Sequence, residues 1–390
     1  MTDLAQLYTI DEVRRAARRK LPGMVADFVE GGAEDEITLA RNQAAFKDLV
    51  LEPRYLVDVG KRDLSTTILG TPVRSPVMLA PTGLNRLAHP DGELAVARAA
   101  GSEGSIFTVG VFSSYTLEEV RAASSGPLWF QIYLWKDRQV TRELVERARD
   151  AGYQSLCLTV DVPVLGQRER DLRNGMKIPI KVSMGSALDV ARHPRWLYWL
   201  ARNSAPTFAS MRGVQGAEGD DGIPLIAYVN RELFDPSQNW DDLVWLREIW
   251  DGKLTVKGIL HPDDARRAVD AGADGIVVSN HGGRQLDGVS ATVEALPRIV
   301  DAVGDRAEVI VDGGIRRGSD VVKAIALGAR GCIVGRPYWW GLGAGGEAGV
   351  RRVLQIFNSE IDRVMALVGT TRLDEIDESI LLPSRSLTGI

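Results

Sequence analysis

Short apolar runs rich in β-branched residues recur along the chain, and most of them are followed by a segment with helical periodicity. Each run is too short for a helix, and this is typical of a buried strand. Strands that alternate with helices pair in parallel, and eight such units predict a (β/α)8 TIM barrel. The predicted strands are Pro76–Ala80, Ser105–Val109, Leu128–Tyr133, Ser155–Val160, Lys253–Lys257, Gly275–Ser279, Glu308–Asp312 and Gly331–Gly335.

Two segments fall outside this alternation. The pattern of residues 1–70 predicts a helical N-terminal extension. Residues from about 170 to 240 are expected to form an insertion after the fourth strand, longer than a usual loop. Since a barrel with insertions can use this length as one unit, we expect residues 1–390 to form a single domain. The predicted barrel helices are Asp91–Glu103, Val140–Ala151, Pro262–Ala271, Thr292–Val303 and Ser319–Leu327.

Composition narrows the class of protein only slightly. A net charge of -5 gives no electrostatic footprint for nucleic acid. Cys157 and Cys332 both lie in apolar runs, so buried positions are favoured over a disulfide, as in a reducing cytoplasm. The sequence shows neither a signal peptide nor an apolar run long enough to cross a bilayer. We therefore expect a cytoplasmic protein.

The segment Ser279–Asp287 carries the strongest chemical signal. It follows the predicted strand around Gly275–Ser279 and places His281, two glycines and Arg284 in close succession. A histidine can accept a proton near neutral pH, and an arginine can hold a carboxylate through two hydrogen bonds. A lone His-Gly-Gly is more often a glycine turn with a capping histidine, so the surrounding residues must decide.

Polar residues at the other predicted strand ends favour a functional site. Chemistry in barrels collects at the carboxyl ends of the strands, and glycine turns after the last two strands commonly hold a phosphate. An acid, a lysine, a histidine and several arginines meeting at one rim predict an active site. These residues are Thr82, Gln131, Tyr133, Thr159, Asp161, Arg168, Lys257, His281, Arg284, Asp312, Arg316 and Arg336.

Ser279–Asp287, together with Leu158–Asp161, Val256–Gly258, Asp312–Arg317 and Gly335–Pro337, resembles the FMN-dependent α-hydroxy acid dehydrogenase and oxidase family. That family includes glycolate oxidase, flavocytochrome b2 and bacterial (S)-mandelate dehydrogenase. The last of these is also resembled by Pro81–Asn85, Arg168–Leu172, His193–Trp196 and Trp245–Arg247. The resemblance covers nearly the whole chain. It implies an FMN cofactor, oxidation of a 2-hydroxy acid to the 2-keto acid, and a homotetramer.

The resemblance also implies a role for each substrate-site residue. His281 would be the base, taking a proton from either the substrate hydroxyl or its α-carbon, and Asp161 would pair with the imidazolium that forms. Arg284 would hold the substrate carboxylate, with a hydroxyl from Tyr133 and a nearby positive charge from Arg168. The sequence does not choose between the two protons.

Further residues are implied for the cofactor, and no histidine pair has metal-ligand spacing. Lys257 would lie against the N1/O2 edge of FMN, where negative charge accumulates on reduction. Gln131 and Thr159 would hold the pyrimidine end of the ring. The phosphate would be held by Gly313, Gly314, Arg316, Gly335 and Arg336. The remaining cofactor-binding residues are expected to be Pro81, Thr82, Gly83, Gly110, Ser279 and Asp312.

Three positions bear on the substrate and the electron acceptor. Phe28 stands where the family has a tyrosine that bonds the substrate carboxylate, and such a bond is worth about 1.5–3 kcal/mol. Either the acid binds less tightly or the group presented there is not an ordinary carboxylate. Phe112 replaces the tryptophan of glycolate oxidases and alters the pocket. Gly83, where many oxidases have alanine, leaves space beside the flavin and favours a quinone-like acceptor over oxygen.

These features predict oxidation of an aromatic or bulky, mandelate-like 2-hydroxy acid, with electrons passed to a quinone-like acceptor or to oxygen. The alternative is a flavin enzyme of the same fold that acts on a non-standard substrate because of Phe28. A barrel that has lost catalysis is disfavoured by the intact His281, Arg284, Lys257 and Asp161.

Two other motifs have competing interpretations. Gly341–Gly346 spells a dinucleotide fingerprint with Asp362 beyond it, but Trp339 and Trp340 intervene and no strand runs directly into it, so a nicotinamide site is disfavoured. Arg192–Arg202 mixes aromatic and basic residues. It predicts either a helix that caps the barrel or meets another subunit, or an interfacial membrane anchor. The second interpretation allows peripheral contact with the inner face of the membrane through residues 190–215.

Overall fold

The computed structural model describes residues 3–174, 184–202, 208–213 and 235–382. Eight parallel strands close into a barrel, and the last strand pairs with the first, so the predicted (β/α)8 fold is confirmed. A short antiparallel hairpin precedes them, formed by β1 (Thr66–Ile68) and β2 (Thr71–Val73). The barrel strands are β3 (Val77–Leu79), β4 (Phe107–Gly110), β5 (Leu128–Ile132), β6 (Ser155–Thr159), β7 (Lys253–Ile259), β8 (Gly275–Val278), β9 (Glu308–Asp312) and β10 (Gly331–Val334).

The positions of the strands agree with the prediction. Their residues are buried almost throughout, because helices cover one face of the sheet and the barrel interior covers the other. Cys157 and Cys332 are buried in β6 and β10, as predicted. One strand runs past its predicted end: β7 continues to Ile259 through a register shift after Lys257. Gly258 has a φ of +109°, and a Cβ there would lie 2.7 Å from the Cβ of Asp161. Glycine therefore lets β7 pass close to a predicted site residue.

Helices surround the barrel, and the five whose bounds were predicted end within two residues of the expected positions. The helices before the insertion are α1 (Ile10–Arg18), α2 (Gly23–Glu30), α3 (Ile37–Asp48), α4 (Gly92–Glu103), α5 (Leu117–Ala123) and α6 (Arg138–Asp150). Those described within the insertion are α7 (Glu169–Arg173), α8 (Met184–Ala191) and α9 (Pro194–Arg202). The remaining helices are α10 (Trp240–Ile249), α11 (Pro262–Asp270), α12 (Thr292–Val303), α13 (Gly318–Ala326) and α14 (Arg336–Val368).

The fingerprint-like glycines lie inside α14 and not in a turn between a strand and a helix. The helix bends at Gly345 and Gly346, whose backbone angles are not helical. A Cβ at Gly341 would lie 2.6 Å from the carbonyl oxygen of Gly349, so this glycine permits close packing across the bend. The structure thus gives these glycines a packing role.

The N-terminal extension is fixed to the carboxyl-end face of the barrel. The side-chain amides of Asn42 in α3 and Asn280 after β8 are buried and exchange two hydrogen bonds, of 2.9 and 2.8 Å. Asp287 accepts from the backbone N–H groups of Ile37 and Thr38 at the start of α3. The motif predicted to carry the chemistry therefore also anchors the extension. No helix among the described residues is long and apolar enough to cross a membrane.

Candidate active site

A cavity of about 350 Å³ lies at the carboxyl ends of the barrel strands. The extension and the insertion contribute to its wall as well as the barrel. The predicted residues that line it are Phe28, Pro81, Thr82, Gly83, Gly110, Phe112, Gln131, Tyr133, Arg168, Lys257, His281, Arg284, Asp312, Gly313, Gly314, Arg316, Gly335 and Arg336. The other three predicted residues stand next to lining residues: Asp161 bonds His281, Ser279 bonds Lys257, and Thr159 pairs with Lys257 in the sheet.

His281 is the third residue after β8 and is held by two neighbours. Its backbone has a φ of +57°, uncommon for a residue other than glycine, and its N–H donates to Ser279 Oγ at 3.1 Å. Its ring Nδ1 lies 3.0 Å from Asp161 Oδ1. With Nδ1 occupied by the carboxylate, Nε2 is the nitrogen left for a ligand in the cavity.

The protonation states of this pair suit a base. Burial lowers the pKa of His281, and the opposing effect of Asp161 does not restore it, so the imidazole rests neutral near pH 7. Burial alone would raise the pKa of Asp161, but His281 and then Lys257 hold it below its usual value. A neutral imidazole backed by a carboxylate can accept a proton and keep it.

Lys257 provides a fixed positive charge at the floor of the cavity. Its Nζ donates to Ser279 Oγ at 2.7 Å and lies 3.0 Å from Asp312 Oδ2, and the residue is only 4% exposed. Burial favours the neutral amine, but Asp312 and Asp161 raise the pKa of Lys257 above its usual value overall. The side chain therefore stays charged inside the barrel and does not extend to solvent.

Arg284 is a buried cation whose partners are backbone carbonyls. Its Nη1 donates to the carbonyl oxygens of Phe28 and Gly31, at 2.9 and 2.7 Å, and its guanidinium lies 5.4 Å from the centre of the Phe28 ring. Burial, followed by repulsion from Arg168 and Arg336, lowers the pKa of Arg284 well below its usual value. No carboxylate of the described residues lies within ion-pair distance of it. An anion entering the cavity would relieve this repulsion.

Arg336 and Arg284 together hold the last turn of α2. Arg336 donates to the carbonyl oxygens of Val29, Gly31 and Gly282, each at 2.9 Å. The carbonyls at the end of a helix lack partners within it and attract cations. We expected Arg336 to hold the phosphate, but its side chain fixes the extension. Its backbone N–H lies at the start of α14 and can donate to an anion.

Positive charge gathers around the glycine turns after β9 and β10, at the end of the cavity where the sequence predicts a phosphate. Gly313 and Gly314 have φ values of +88° and +82°, and a Cβ at Gly314 would collide with the carbonyl oxygen of Asn42. Burial and repulsion from Arg336 lower the pKa of Arg316 to about 9. A phosphate dianion suits this end, because it would balance the charge and accept from the helix N-termini of α13 and α14.

The cavity floor matches FMN in a second respect. Gln131 Nε2, Thr159 Oγ1 and Asp312 Oδ1 are buried and find no hydrogen-bond partner among the residues that the structure describes. Buried polar groups are rarely left unpaired, so a ligand with hydrogen-bonding edges is expected here. A flat ring with donors and acceptors at one end and a phosphate at the other fits the whole cavity.

The substrate end is more apolar than the sequence indicated. The ring of Phe112 lies 5.7 Å from the Tyr133 ring and 4.8 Å from the Phe208 ring, measured between centroids. Phe208, which lies in the insertion and belongs to no motif, was missed. Gly83 also differs from expectation: a Cβ there would lie 2.7 Å from Phe112 Cβ, so Phe112 already occupies the space that a methyl group would fill.

Gln285 was also missed, although it stands inside the Ser279–Asp287 motif. Its Nε2 donates to the carbonyl oxygens of Asp161 and Val164, both at 3.0 Å. Its Oε1 accepts from Gly166 N–H and from Arg168 Nη2, both at 3.3 Å. Gln285 therefore fixes the loop that carries Asp161 and Arg168. Its place next to Arg284 in the motif was the available signal.

A TIM barrel with glycine turns and helix N-termini that suit a phosphate, a buried lysine and a histidine–aspartate pair is typical of a flavin-dependent oxidoreductase. Residues 17–383 match the family described as FMN-dependent dehydrogenase, and the chain belongs to that family. Its cofactor is FMN.

The similarity to known proteins extends over nearly the whole length of this chain and of each relative. An L-lactate oxidase of Nostoc sp. is 45% identical, covering 98% of this chain and all of the relative. A putative L-lactate dehydrogenase of Mycobacterium tuberculosis is 44% identical over 96% of this chain and 88% of its own. The crystal structure of the monotopic membrane protein (S)-mandelate dehydrogenase matches with a TM-score of 0.92 and 40% identity, covering 97% of this chain and 99% of the other.

Proposed function

We propose that this protein oxidises a 2-hydroxy acid to the 2-keto acid, with His281 as the base. The observation that carries the proposal is His281, hydrogen-bonded to Asp161, in the same cavity as the buried guanidinium of Arg284. A proton acceptor and a carboxylate-binding group within one small volume suit a substrate that carries a hydroxyl next to a carboxylate.

The side chains of the cavity divide three tasks: binding the substrate, moving a proton and stabilising charge. Arg284, Arg168 and Tyr133 bind the substrate carboxylate and so direct the α-carbon towards the cofactor. His281 Nε2 takes one proton, either from the hydroxyl or from the α-carbon, and Asp161 stabilises the imidazolium. FMN, when bound, would supply the acceptor for the two electrons that leave the α-carbon and for the second proton. Lys257 holds a positive charge where negative charge then accumulates.

We propose that the substrate has an aromatic or bulky side chain. Phe28, Phe112 and Phe208 give the substrate end three aromatic rings, and aromatic walls favour large apolar groups. Several structural relatives carry mandelate in their names, whereas several sequence relatives carry lactate or glycolate. A quinone-like acceptor remains our proposal, because the (S)-mandelate dehydrogenase that matches this fold is a dehydrogenase. Oxygen is the alternative, because oxidases are also among the relatives.

A second candidate is a substrate that presents something other than an ordinary carboxylate at Phe28. This ring lies against the Arg284 guanidinium, at the place where the family has a tyrosine hydroxyl. A phenyl ring offers Arg284 a cation–π contact but offers the substrate no hydrogen bond. A substrate with a neutral polar group in place of the carboxylate would lose less binding free energy from the absence of a tyrosine hydroxyl at position 28.

Rapid mixing of the FMN-loaded protein with candidate acids, without oxygen, tests the main proposal. (S)-Mandelate is expected to bleach the visible absorption of the flavin faster than L-lactate or glycolate does. Equal rates for the three acids would overturn the proposed side-chain preference. No bleaching by any 2-hydroxy acid, in a protein that holds FMN, would favour the second candidate.

We also propose that α9 touches a membrane surface. Trp196 is buried and donates to the carbonyl oxygen of Leu87 at 2.8 Å, while Tyr198 is 57% exposed and Leu197 is 42% exposed. The helix thus docks through one face and leaves apolar side chains outside, close to arginines, which suits an anionic lipid surface. Cosedimentation with phosphatidylglycerol vesicles should fall in a double variant, Leu197→Ser with Tyr198→Ser. Unchanged binding would leave α9 as a capping helix or a subunit contact.

A further inference from the structure

Glu93 is a buried carboxyl group that the mechanism above does not use. It lies in the first turn of α4 and is fully shielded from solvent. Its Oε1 accepts from the backbone N–H of Asn85, at 3.2 Å, and from that of Ser114, at 2.9 Å. One oxygen therefore joins the loop that follows β3 to the loop that follows β4.

Both loops form the wall of the cofactor cavity. Pro81–Leu84 line it from the first loop, and Phe112 lines it from the second, next to Gly110 at the end of β4. Besides Glu93, the loops are joined by the N–H of Leu84, which donates to the carbonyl oxygen of Phe112 at 3.0 Å. Because the backbone of Gly83 lies so close to Phe112, a small separation of the loops would open the wall beside the flavin.

We propose that Glu93 is a positioning residue that holds these two loops together against FMN and thereby sets the place of Phe112. The inference goes beyond the proposed function, because it concerns the FMN site and holds for any substrate. A buried carboxyl suits this role, since an alkyl side chain would leave two backbone N–H groups without partners, at a large cost.

The charge of this group supports the role. Burial raises the pKa of Glu93 to about 7, against the lowering effect of the Ser114 and Asn85 N–H groups. Its Oε2 has no hydrogen-bond partner within the described part of the chain. The link between the loops is therefore strongest when the group is ionised, above that pH. The charged or titratable side chains that face Glu93 are Arg86, Tyr115, Tyr153 and Tyr338.

The experiment compares the FMN-loaded protein with Glu93→Gln, Glu93→Leu and a control on the same helix, Glu103→Gln, whose side chain accepts from Gln355. The visible circular dichroism of bound FMN is followed on both sides of pH 7, and the FMN dissociation constant is measured by fluorescence. We expect a pH-dependent change centred near 7 in the wild type and the control, and none in Glu93→Gln. Glu93→Leu should weaken FMN binding about tenfold.

A change near pH 7 that persists in Glu93→Gln would overturn the proposal, because the amide cannot titrate. Wild-type FMN affinity in Glu93→Leu would do the same. If Glu93→Leu does not fold, the comparison of Glu93→Gln with the control still decides. None of these readouts uses a substrate, so failure of the proposed function would leave them unaffected.

Discussion

The two ends of the cavity are built in different ways. The phosphate end consists of glycine turns and helix N-termini that follow β9 and β10, so the barrel itself forms it. The substrate end combines Phe28 of the extension, Phe112 of the β4 loop and Phe208 of the insertion. The barrel thus supplies the residues predicted to hold the phosphate, whereas the substrate pocket depends on how the added segments dock.

Arg284 and Arg336 connect the two ends. Both donate to carbonyls at the end of α2, which carries Phe28 into the substrate pocket. Arg336 starts α14 at the phosphate end, and Arg284 lies among the substrate-side cations. Docking of the extension therefore depends on the same guanidinium groups that border the ligand sites.

The largest expected effect separates chemistry from cofactor binding. His281→Asn should keep FMN, because the phosphate end and Lys257 are unchanged, and asparagine tolerates the positive φ of this position. Substrate-dependent bleaching of the flavin should fall by about 10²–10⁴-fold. Single-turnover kinetics measures this, with the FMN dissociation constant as the control. A near wild-type rate would make His281 a structural residue.

The pH dependence of the reaction tests the partner of that base. His281 must be neutral to act, so kcat/KM should fall as the pH drops through its lowered pKa. Asp161 raises the pKa of His281 against the effect of burial. In Asp161→Asn this limb should therefore move to lower pH, and kcat should fall about 10²-fold or more. A limb that stays in place would assign it to another group.

Arg336→Ala tests the connection between the two ends. Loss of charged hydrogen bonds worth about 1.5–3 kcal/mol each should loosen residues 28–31 and weaken FMN binding by tenfold or more. Hydrogen exchange at those residues, together with an FMN titration, measures both effects. Arg317→Ala is the matched control, because that side chain pairs with Glu360 at the surface. Faster exchange without weaker FMN binding would show that the two ends are independent.

The same contrast explains how far the sequence could predict the site. The turns at Gly313 and Gly335 follow buried strands directly, so strand pattern and motif together located them. Phe208 lies in an insertion without periodicity, and its contact with Phe112 joins residues far apart in the chain. The bonds from Arg284 to α2 span more than 250 residues and depend on how the extension docks. The single-domain boundary stays a prediction.

Phe28→Tyr tests the substrate end of the cavity without changing the phosphate end. The variant adds one hydroxyl to a ring that already lies beside Arg284. If the ligand is a carboxylate, a hydrogen bond worth about 1.5–3 kcal/mol should tighten its binding about tenfold or more. Titration of a 2-keto acid inhibitor against both proteins measures the gain, and FMN affinity should not change. No gain, or a loss, would favour a substrate without an ordinary carboxylate at this place.

The smallest expected effect concerns Gly83, at the boundary between the two ends. A methyl group there would meet Phe112 Cβ at 2.7 Å, closer than side chains pack, so Phe112 or its loop must shift. Because Phe112 touches Tyr133 and Phe208, the shift should reshape the substrate pocket before it disturbs the phosphate end. In Gly83→Ala we expect KM for a bulky 2-hydroxy acid to change by a few-fold, on the order of 1 kcal/mol or less, and FMN affinity to change less than in Glu93→Leu. Steady-state kinetics with a bulky and a small acid measures this. A change confined to reoxidation by air or by a quinone analogue would instead assign Gly83 to the acceptor side of the flavin.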